Sequence, residues 1–188
     1  EVTAFDTGPG NMVMDALVMR LTDGAQSYDD GGRLAASGRV IPELLDWMCD
    51  DPYLAKQPPK TTGREYYGKE YVEKVLAFGD YELVDVLTTA TAFTARSIAL
   101  SLRRFAKRLP ARLVVGGGGS RNPTLLQFLQ QDLPEVQVQI QEDLGLDSDA
   151  KEAVAFALLA NEALFGICNN APSATGAKHP VVMGRINL

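Results

Sequence analysis

The chain has 188 residues, a size that suits one domain or slightly more, since a domain averages about 150 residues. Hydrophobic residues make up 46% and charged residues 22%, which excludes a disordered or collagen-like chain. The net charge of −6 gives a nucleic acid no basic surface, and no apolar stretch approaches the ~20 residues that span a bilayer. We therefore expect a soluble protein with no nucleic-acid partner and no membrane segment.

Cysteine usage and the first residues indicate the compartment. Cys49 and Cys168 lack metal-ligand spacing, and His179 is the one histidine, so a zinc site is not expected. We therefore interpret Cys49 and Cys168 as two free, buried thiols of a protein in a reducing cytoplasm. The sequence starts at Glu1 without an initiator Met or a charged leader, so we expect no signal peptide and a fragment whose N-terminal part is missing.

The first part of the chain shows one strand, one glycine-rich turn and several helices. Apolar residues at helical spacing follow the turn, and Pro, Gly and Asp interrupt the later segments. The predicted elements are a strand over 2–5, a turn over 6–11, a helix over 12–21, a polar loop over 22–33, an interrupted helix over 34–49 and a surface loop over 50–64.

The second part repeats the order strand, glycine turn, helix. It predicts helices over 67–78 and 81–109, a strand over 111–115, a glycine run over 116–119, a helix through 125–129, a strand over 136–140, a helix over 149–165 and a closing strand over 181–186. The long helix over 81–109 is predicted to be the principal packing helix. Strands alternating with helices predict an α/β domain with a largely parallel sheet, and so few strands indicate an incomplete sheet.

Both glycine turns could hold a phosphate. A glycine has no Cβ, so its backbone approaches a phosphate closely, while the following helix presents free N–H groups to it. The run Gly116–Gly119 is not a Walker loop, and no acidic ribose ligand follows it at the right distance. Tight packing explains this run as well as phosphate binding does.

Asp6 is the sharpest candidate for catalysis. A carboxylate at the C-terminal end of a strand lies where α/β sheets place ligands, and it can accept a proton from a bound nucleophile. A turn-forming or helix-capping Asp is an equally good interpretation. Asp15, further along the following helix, faces either the same cleft or solvent.

Other polar and aromatic residues leave two interpretations open. Lys60 and Arg64 could bind a carboxylate or phosphate, or lie on a solvated loop. Glu152 could contact a sugar, although most acids in a first helical turn simply favour the helix N-terminus. Tyr66, Tyr67 and Tyr71 suit either sugar stacking or packing.

Six segments, in this order along the whole chain, resemble the C-terminal half of the anhydro-N-acetylmuramic acid kinase family of the sugar kinase, actin and Hsp70 ATPase superfamily. They are FDTGPGNMVMDA (5–16), YDDGGRLAASGRV (28–40), PPKTTGREYY (58–67), VVGGGGSRNPTL (114–125), LGLDSDAKEAVAFALLA (144–160) and PSATGAKHPVVMGRI (172–186). The resemblance implies a ribonuclease H-like (actin-like ATPase) α/β fold, a mixed sheet with flanking helices that is truncated at its N-terminal strands. Residues 1–188 would be the C-terminal lobe of a two-lobed kinase whose N-terminal lobe is absent.

The resemblance also implies a reaction. It is an ATP- and Mg²⁺-dependent opening of a 1,6-anhydro sugar ring by water, coupled to phosphorylation of O6, in a cytoplasmic enzyme that forms a homodimer at full length. Asp6 matches the catalytic base, and no residue is implied as a metal ligand. The implied nucleotide-binding residues are Gly8, Gly10, Gly116, Gly117, Gly118, Gly119 and Asn122, and the implied sugar-binding residues are Glu152, Lys60 and Arg64.

The family's first phosphate-binding loop has no counterpart in the chain. We therefore predict that the chain alone is inactive and that unpaired sheet edges promote association. Two alternatives stay open: a levoglucosan kinase, because fungal relatives share PPKTTGRE-like and glycine-rich segments, and a non-catalytic nucleotide-binding or interaction module. The ending ATGAKHPVVMG favours the muramic acid enzymes.

Overall fold

Residues 2–185 are described in a computed structural model of the chain. The helices are α1 (Met12–Leu21), α2 (Arg33–Ser37), α3 (Pro42–Cys49), α4 (Pro52–Ala55), α5 (Lys69–Leu76), α6 (Leu83–Phe105), α7 (Pro123–Asp132), α8 (Lys151–Leu164) and α9 (Pro172–Thr175). The strands are β1 (Arg112–Val115) and β2 (Gln137–Ile140), and three 3₁₀ turns cover Asp30–Gly32, Gly118–Arg121 and Gln141–Leu144.

The long helix α6 is the centre of the fold, as its apolar spacing predicts. Helices α1, α3 and α7 pack around it, and Leu17, Leu44 and Phe93 are fully buried there. Buried threonines on α6 bond to carbonyls one turn back, for example Thr91 to Leu87 O at 2.9 Å, so their hydroxyls carry no desolvation penalty. The helix is long and apolar enough to cross a membrane, but two thirds of its apolar window is buried inside the protein, as in a core helix.

The sheet has two parallel strands in the described part of the chain. β1 and β2 pair in register from Arg112↔Gln137 to Val115↔Ile140, and α7 forms the crossover between them. The α/β class is therefore confirmed, with a small parallel sheet and many helices. A ribonuclease H-like topology needs more strands than these two and stays a prediction.

Two predicted strands are wrong within the described residues. Residues 2–5 belong to no ladder, and 181–185 likewise form no strand, while Ile186 lies outside the described residues. An extended segment becomes a strand only when a neighbour supplies a ladder of hydrogen bonds. Within the described residues, the segment 2–6 makes one backbone hydrogen bond to the neighbouring loop, from Asp6 N to Lys60 O at 3.1 Å.

The two thiols differ, which corrects the expectation that both are buried. Cys168 is exposed, because the segment after α8 packs on few neighbours, whereas Cys49 is partly buried at the end of α3. Burial raises the pKa of the Cys49 thiol to about 11, an effect to which Asp46 and Asp132 add and which Arg96 opposes. Cys49 is therefore a neutral thiol at physiological pH.

Candidate functional site

The Asp6 carboxylate lies at the surface, held by the loop that follows α4. Its Oδ2 accepts hydrogen bonds from Thr61 Oγ1 at 2.8 Å and from Thr62 N at 2.9 Å. Its Oδ1 has no hydrogen-bond partner among residues 2–185, so one oxygen is fixed and the other is available. The Tyr53 hydroxyl donates to the Asp6 carbonyl at 2.9 Å and anchors the same residue from below.

Tyr53 is a neutral donor in this arrangement. Burial raises its pKa to about 12, and the charges of Asp6 and Glu65 act in the same direction. A neutral tyrosine keeps its proton for the Asp6 carbonyl throughout the physiological range. This hydrogen bond to the Asp6 carbonyl therefore persists across that range.

The first glycine turn (residues 7–11) lies on α6. A methyl group at Gly8 would lie 2.6 Å from Ser97 Oγ, so the close approach to the helix requires glycine. The Thr94 hydroxyl donates to the Gly10 carbonyl at 3.0 Å and fixes the turn at its other end. This turn therefore keeps a fixed place directly after Asp6.

The second glycine turn (residues 116–122) meets the first. A Cβ at Gly118 would lie 3.6 Å from Asn11 Nδ2, and a Cβ at Gly119 would lie 3.4 Å from Asn11 Oδ1. Asn11 is the last residue of the first turn and directly precedes α1. The fold thus brings together two turns that are separated by more than 100 residues in sequence.

A third glycine turn, at Gly31 and Gly32, joins this group. The sequence predicts only a polar loop over 22–33 for this segment. A Cβ at Gly32 would lie 2.1 Å from Asn122 Oδ1, and Thr124 Oγ1 donates to the Gly32 carbonyl at 2.7 Å. Asp29 accepts bonds from Leu34 N and Ala35 N and so caps α2. The signal that could have found this turn is the sequence Asp-Asp-Gly-Gly before a helix.

Two of the glycines leave open space at the turns. Gly10 (φ +56°) and Gly117 (φ +78°) have left-handed backbones, and a Cβ at either would meet nothing within 4 Å. Gly116 differs, because a Cβ there would lie 2.1 Å from Gln141 Oε1, so packing accounts for this glycine. An open glycine backbone beside a helix N-terminus fits a phosphate group.

A cleft of about 750 Å³ lies between α1 and α5, next to the first turn. Asn11, Asp15 and Arg64 are among its polar lining residues, and Met12 and Val72 are among its apolar ones. Burial raises the pKa of Asp15, while the Arg64 guanidinium opposes this rise. Asp15 therefore lines this cleft, but Asp6 is not among its lining residues, so a cleft shared by Asp15 and Asp6 stays a prediction. Asn11 is a lining residue that sequence reasoning missed.

Comparisons with known proteins decide the family. The family model for anhydro-N-acetylmuramic acid kinase matches residues 1–188. The chain belongs to this family. A relative from Caldanaerobacter subterraneus subsp. tengcongensis, named anhydro-N-acetylmuramic acid kinase, is 49% identical over 193 residues, covering 100% of this chain and 49% of the relative.

Two further relatives carry the same name. The protein of Bacillus cereus is 44% identical over 98% of this chain and 49% of its own, and that of Synechococcus elongatus is 45% identical over 99% of this chain and 50% of its own. The chain thus spans about half the length of the curated relatives it matches.

Lys60 is one of the sugar-binding residues implied by the resemblance to the anhydro-N-acetylmuramic acid kinase family. Its side chain is buried in the structure. It is 9% exposed, and its Nζ donates to the carbonyls of Tyr53 and Leu54, both at 3.3 Å. The ammonium also lies 4.8 Å from the centre of the Phe105 ring and 5.7 Å from that of Phe5. Burial lowers its pKa, and Arg104 and Lys56 lower it further.

Lys60 therefore supports the Asp6 loop from inside. Its contact with the sugar, which the kinase family implies, stays a prediction that no observation tests. Arg64 is exposed and lines the cleft, so of these two cations it is the one placed to meet a ligand.

The remaining implied residues of the kinase family lie near the second glycine turn. Asn122 is buried, and its Oδ1 accepts a bond from Leu125 N at 3.0 Å, so its side chain caps α7. Arg121 pairs with Asp149, which connects this turn to the start of α8. Glu152 is exposed in the first turn of α8, three residues after Asp149.

The sequence leaves sugar stacking and packing open for three tyrosines, and two of them are packing residues. Tyr67 and Tyr71 are buried, with ring centres 4.8 Å apart and edges against faces, and Tyr67 also contacts Phe93 of the core. Burial strongly raises the pKa of both. They are packing residues, whereas Tyr66 is partly exposed and bonds to Asp51.

Proposed function

We propose that this chain supplies the catalytic-base half of an ATP-dependent anhydro-N-acetylmuramic acid kinase of the cytoplasm. Family membership supports the reaction, and one observation supports the role of this half. The Asp6 carboxylate is exposed, is held at one oxygen by Thr61 and Thr62, and directly precedes the first of three converging glycine turns.

Asp6 acts as the general base in this proposal. Its free oxygen takes a proton from a water molecule, and the water oxygen bonds to the anomeric carbon of the 1,6-anhydro sugar. The bond from that carbon to O6 breaks, and O6 bonds to the γ-phosphorus of ATP as ADP leaves. Exposed carboxylates are common, but one held by a backbone N–H and a hydroxyl has the fixed direction that a base needs.

The glycine turns hold the nucleotide in this proposal. Gly10 and Gly117 offer open backbone for phosphate oxygens, and Gly118 and Gly119 bring the second turn against Asn11. Gly8, Gly116 and Asn122 set the shape of the turns through their packing. Mg²⁺ would neutralise phosphate charge and would arrive on the nucleotide's own oxygens. Within residues 2–185 no three acidic, His or Cys side chains form a metal cluster.

The sugar lies on the Asp6 side of the turns. Arg64 and Glu152 are exposed and can reach sugar oxygens, and Lys60 carries the least weight among the proposed sugar contacts because its ammonium is already bonded to two carbonyls. Sugar and phosphate cages normally close between two lobes. We therefore expect no turnover from the 188 residues alone. The family resemblance also implies a homodimer for a family-length protein.

The test uses ADP release in a family-length kinase that carries this segment. Asp6→Asn should lower kcat by roughly 10² to 10⁴, the usual contribution of a general base, and leave ATP affinity within about twofold. Asn keeps the size of the side chain and can still accept from Thr61 and Thr62, so the loop stays in place. Asp80→Asn, at an exposed acid before α6, is the matched control.

Three outcomes would contradict the proposal. Unchanged turnover in Asp6→Asn removes Asp6 from the mechanism. Turnover by the 188 residues alone, near that of the family-length kinase, shows that the site is complete without a second half. Phosphorylation of levoglucosan in preference to anhydro-N-acetylmuramic acid, measured by competition, assigns a different substrate to the same chemistry.

A further inference from the structure

A second cavity lies apart from Asp6 and the glycine turns. It has a volume of about 490 Å³ and is bounded by α3, by the turn between α3 and α4, and by the start of α5. Its charged lining residues are the acids Asp50, Asp51, Glu65 and Glu70 and the cation Lys74. The acids outnumber the cation, so the cavity attracts positively charged ligands.

Three aromatic side chains line the same cavity, which distinguishes it from an ordinary solvated acidic surface. They are Trp47, Tyr66 and Tyr71. The ring centres of Trp47 and Tyr71 are 6.1 Å apart, and Trp47 is 39% exposed. Aromatic faces attract ammonium groups, and the Lys56 ammonium already lies 5.9 Å from the centre of the Tyr66 ring. These rings therefore suit an ammonium group that carries an alkyl chain.

The Tyr71 hydroxyl has no hydrogen-bond partner within residues 2–185, although Tyr71 is only 7% exposed. Burial strongly raises the pKa of Tyr71, and the charge of Asp51 raises it further, so the hydroxyl lies toward an acid of the cavity. The neutral phenol oxygen can accept a hydrogen bond. Leaving a buried hydroxyl unpaired is costly, and an N–H donor on a ligand would satisfy it.

Asp51 is held in a fixed orientation at this cavity. Its Oδ1 accepts hydrogen bonds from Tyr53 N at 2.8 Å and from the Tyr66 hydroxyl at 2.9 Å. A carboxylate that is already oriented loses little freedom when it meets a cation. Asp51 is therefore a preorganised anchor for a positive charge.

The acids of this cavity suit an extended cation better than a compact one. Within residues 2–185 no three acidic, His or Cys side chains cluster closely enough to hold a metal ion. Asp50 and Asp51 come from the turn after α3, whereas Glu65 and Glu70 come from the loop before α5 and from its first turn. Carboxylates on two separate segments match a ligand with more than one ammonium group.

We propose that this cavity binds an aliphatic diamine or polyamine. Its ammonium groups meet the carboxylates and the Tyr71 hydroxyl, and its methylene chain lies on the aromatic rings. The site does not depend on the proposed kinase function, because neither Asp6 nor a glycine turn lines the cavity.

The experiment titrates a family-length kinase that carries this segment with putrescine, followed by isothermal titration calorimetry at low ionic strength. Saturable 1:1 binding with a Kd at or below about 1 mM is expected. 1,4-Butanediol has the same carbon chain with hydroxyls in place of the ammonium groups, and it should give no saturable heat. Asp6→Asn should bind putrescine as the unmodified protein does, which separates this test from that of the kinase reaction.

Two double variants locate the charge. Glu65→Gln with Glu70→Gln removes two carboxylates of the cavity and should weaken putrescine binding at least about tenfold. Glu43→Gln with Glu82→Gln removes the same charge at exposed acids outside the cavity and should leave the affinity within about twofold. Circular dichroism confirms that both double variants are folded.

Two single variants test the aromatic side. Tyr71→Phe keeps the ring and loses the hydroxyl, and it should weaken binding at least about threefold. Because that hydroxyl has no partner inside the protein, Tm should not fall. Trp47→Leu removes an aromatic face at the surface and should weaken binding about threefold.

Each of the following results overturns the proposal. Absence of saturable heat with putrescine up to about 10 mM removes the site. Equal weakening by the two double variants shows diffuse attraction to the protein's net charge instead of a site. Unchanged affinity in both Tyr71→Phe and Trp47→Leu places the bound diamine elsewhere.

Discussion

Replacing Gly32 by Ala should destabilise the protein by separating the second and third glycine turns. The added Cβ would lie 2.1 Å from Asn122 Oδ1 and 2.9 Å from Thr124 Oγ1, so both side chains must move. Loss of the Asn122 cap on α7 costs about 1 kcal/mol, loss of the Thr124 bond about 1 kcal/mol, and the left-handed backbone of Gly32 (φ +65°) about 1 kcal/mol for Ala.

The sum of about 3 kcal/mol should lower Tm by roughly 6–12 °C for a chain of this size. Thermal unfolding followed by circular dichroism measures this shift. Gly24→Ala is the matched control, because Gly24 also has a left-handed backbone (φ +81°) but open space around its Cβ position. It should lower Tm by only about 2–4 °C.

A double-mutant cycle tests the named contact. In an Asn122→Ala background the Oδ1 atom is gone, so Gly32→Ala should cost about 1 kcal/mol less than in the unmodified chain. Equal shifts for Gly32→Ala and Gly24→Ala, or strict additivity with Asn122→Ala, would refute the reasoning that packing against Asn122 is what requires glycine at position 32.

Two further predictions concern titratable groups. Asp15→Asn should stabilise the chain at pH 7, by less than about 1 kcal/mol because this carboxyl is half-exposed. Since burial raises the pKa of Asp15 in the folded state, the contribution of this carboxyl to stability is lost as pH rises from its usual pKa of 3.8 through its raised folded-state pKa. The Tm advantage of Asp15→Asn over wild type should grow across that interval and then level off; an advantage that is constant with pH would contradict this. Iodoacetamide at pH 7.5 should label exposed Cys168 and leave Cys49 largely unmodified, because the raised pKa of Cys49 keeps it a thiol. Peptide mass spectrometry checks this, and equal labelling of both in the folded chain would contradict it.

The sequence predicts local elements well where their cause is local. The apolar spacing over 81–109 predicts α6, which ends at Phe105, and Asn122 before Pro123 is a typical start for α7. The predicted strand over 2–5 failed because pairing depends on a neighbour that local sequence does not specify. Strand pairing is therefore the part of the fold that the sequence of a single segment predicts least well.

The features that the sequence did not predict depend on contacts between residues far apart in the chain. Lys60 lies in a polar loop and reads as solvent-exposed, but the fold closes Phe5 and Phe105 over it from positions 55 and 45 residues away. The meeting of Gly32 with Asn122 is likewise set by how α2 and α7 pack on α6, which no short motif encodes. Asp6 and the glycine turns stand out in the sequence because the features that mark them lie on neighbouring residues, and their functional roles stay predictions.

In the proposed reaction, the asymmetric bonding of the two Asp6 oxygens would limit the geometry of proton uptake. Two donors on Oδ2 stabilise negative charge there and occupy its lone pairs, so an incoming proton has Oδ1 as its acceptor. A water molecule must then approach from the side of that atom, which fixes its line of attack. As the proposed base, Asp6 would therefore start each turnover already oriented by Thr61 and Thr62.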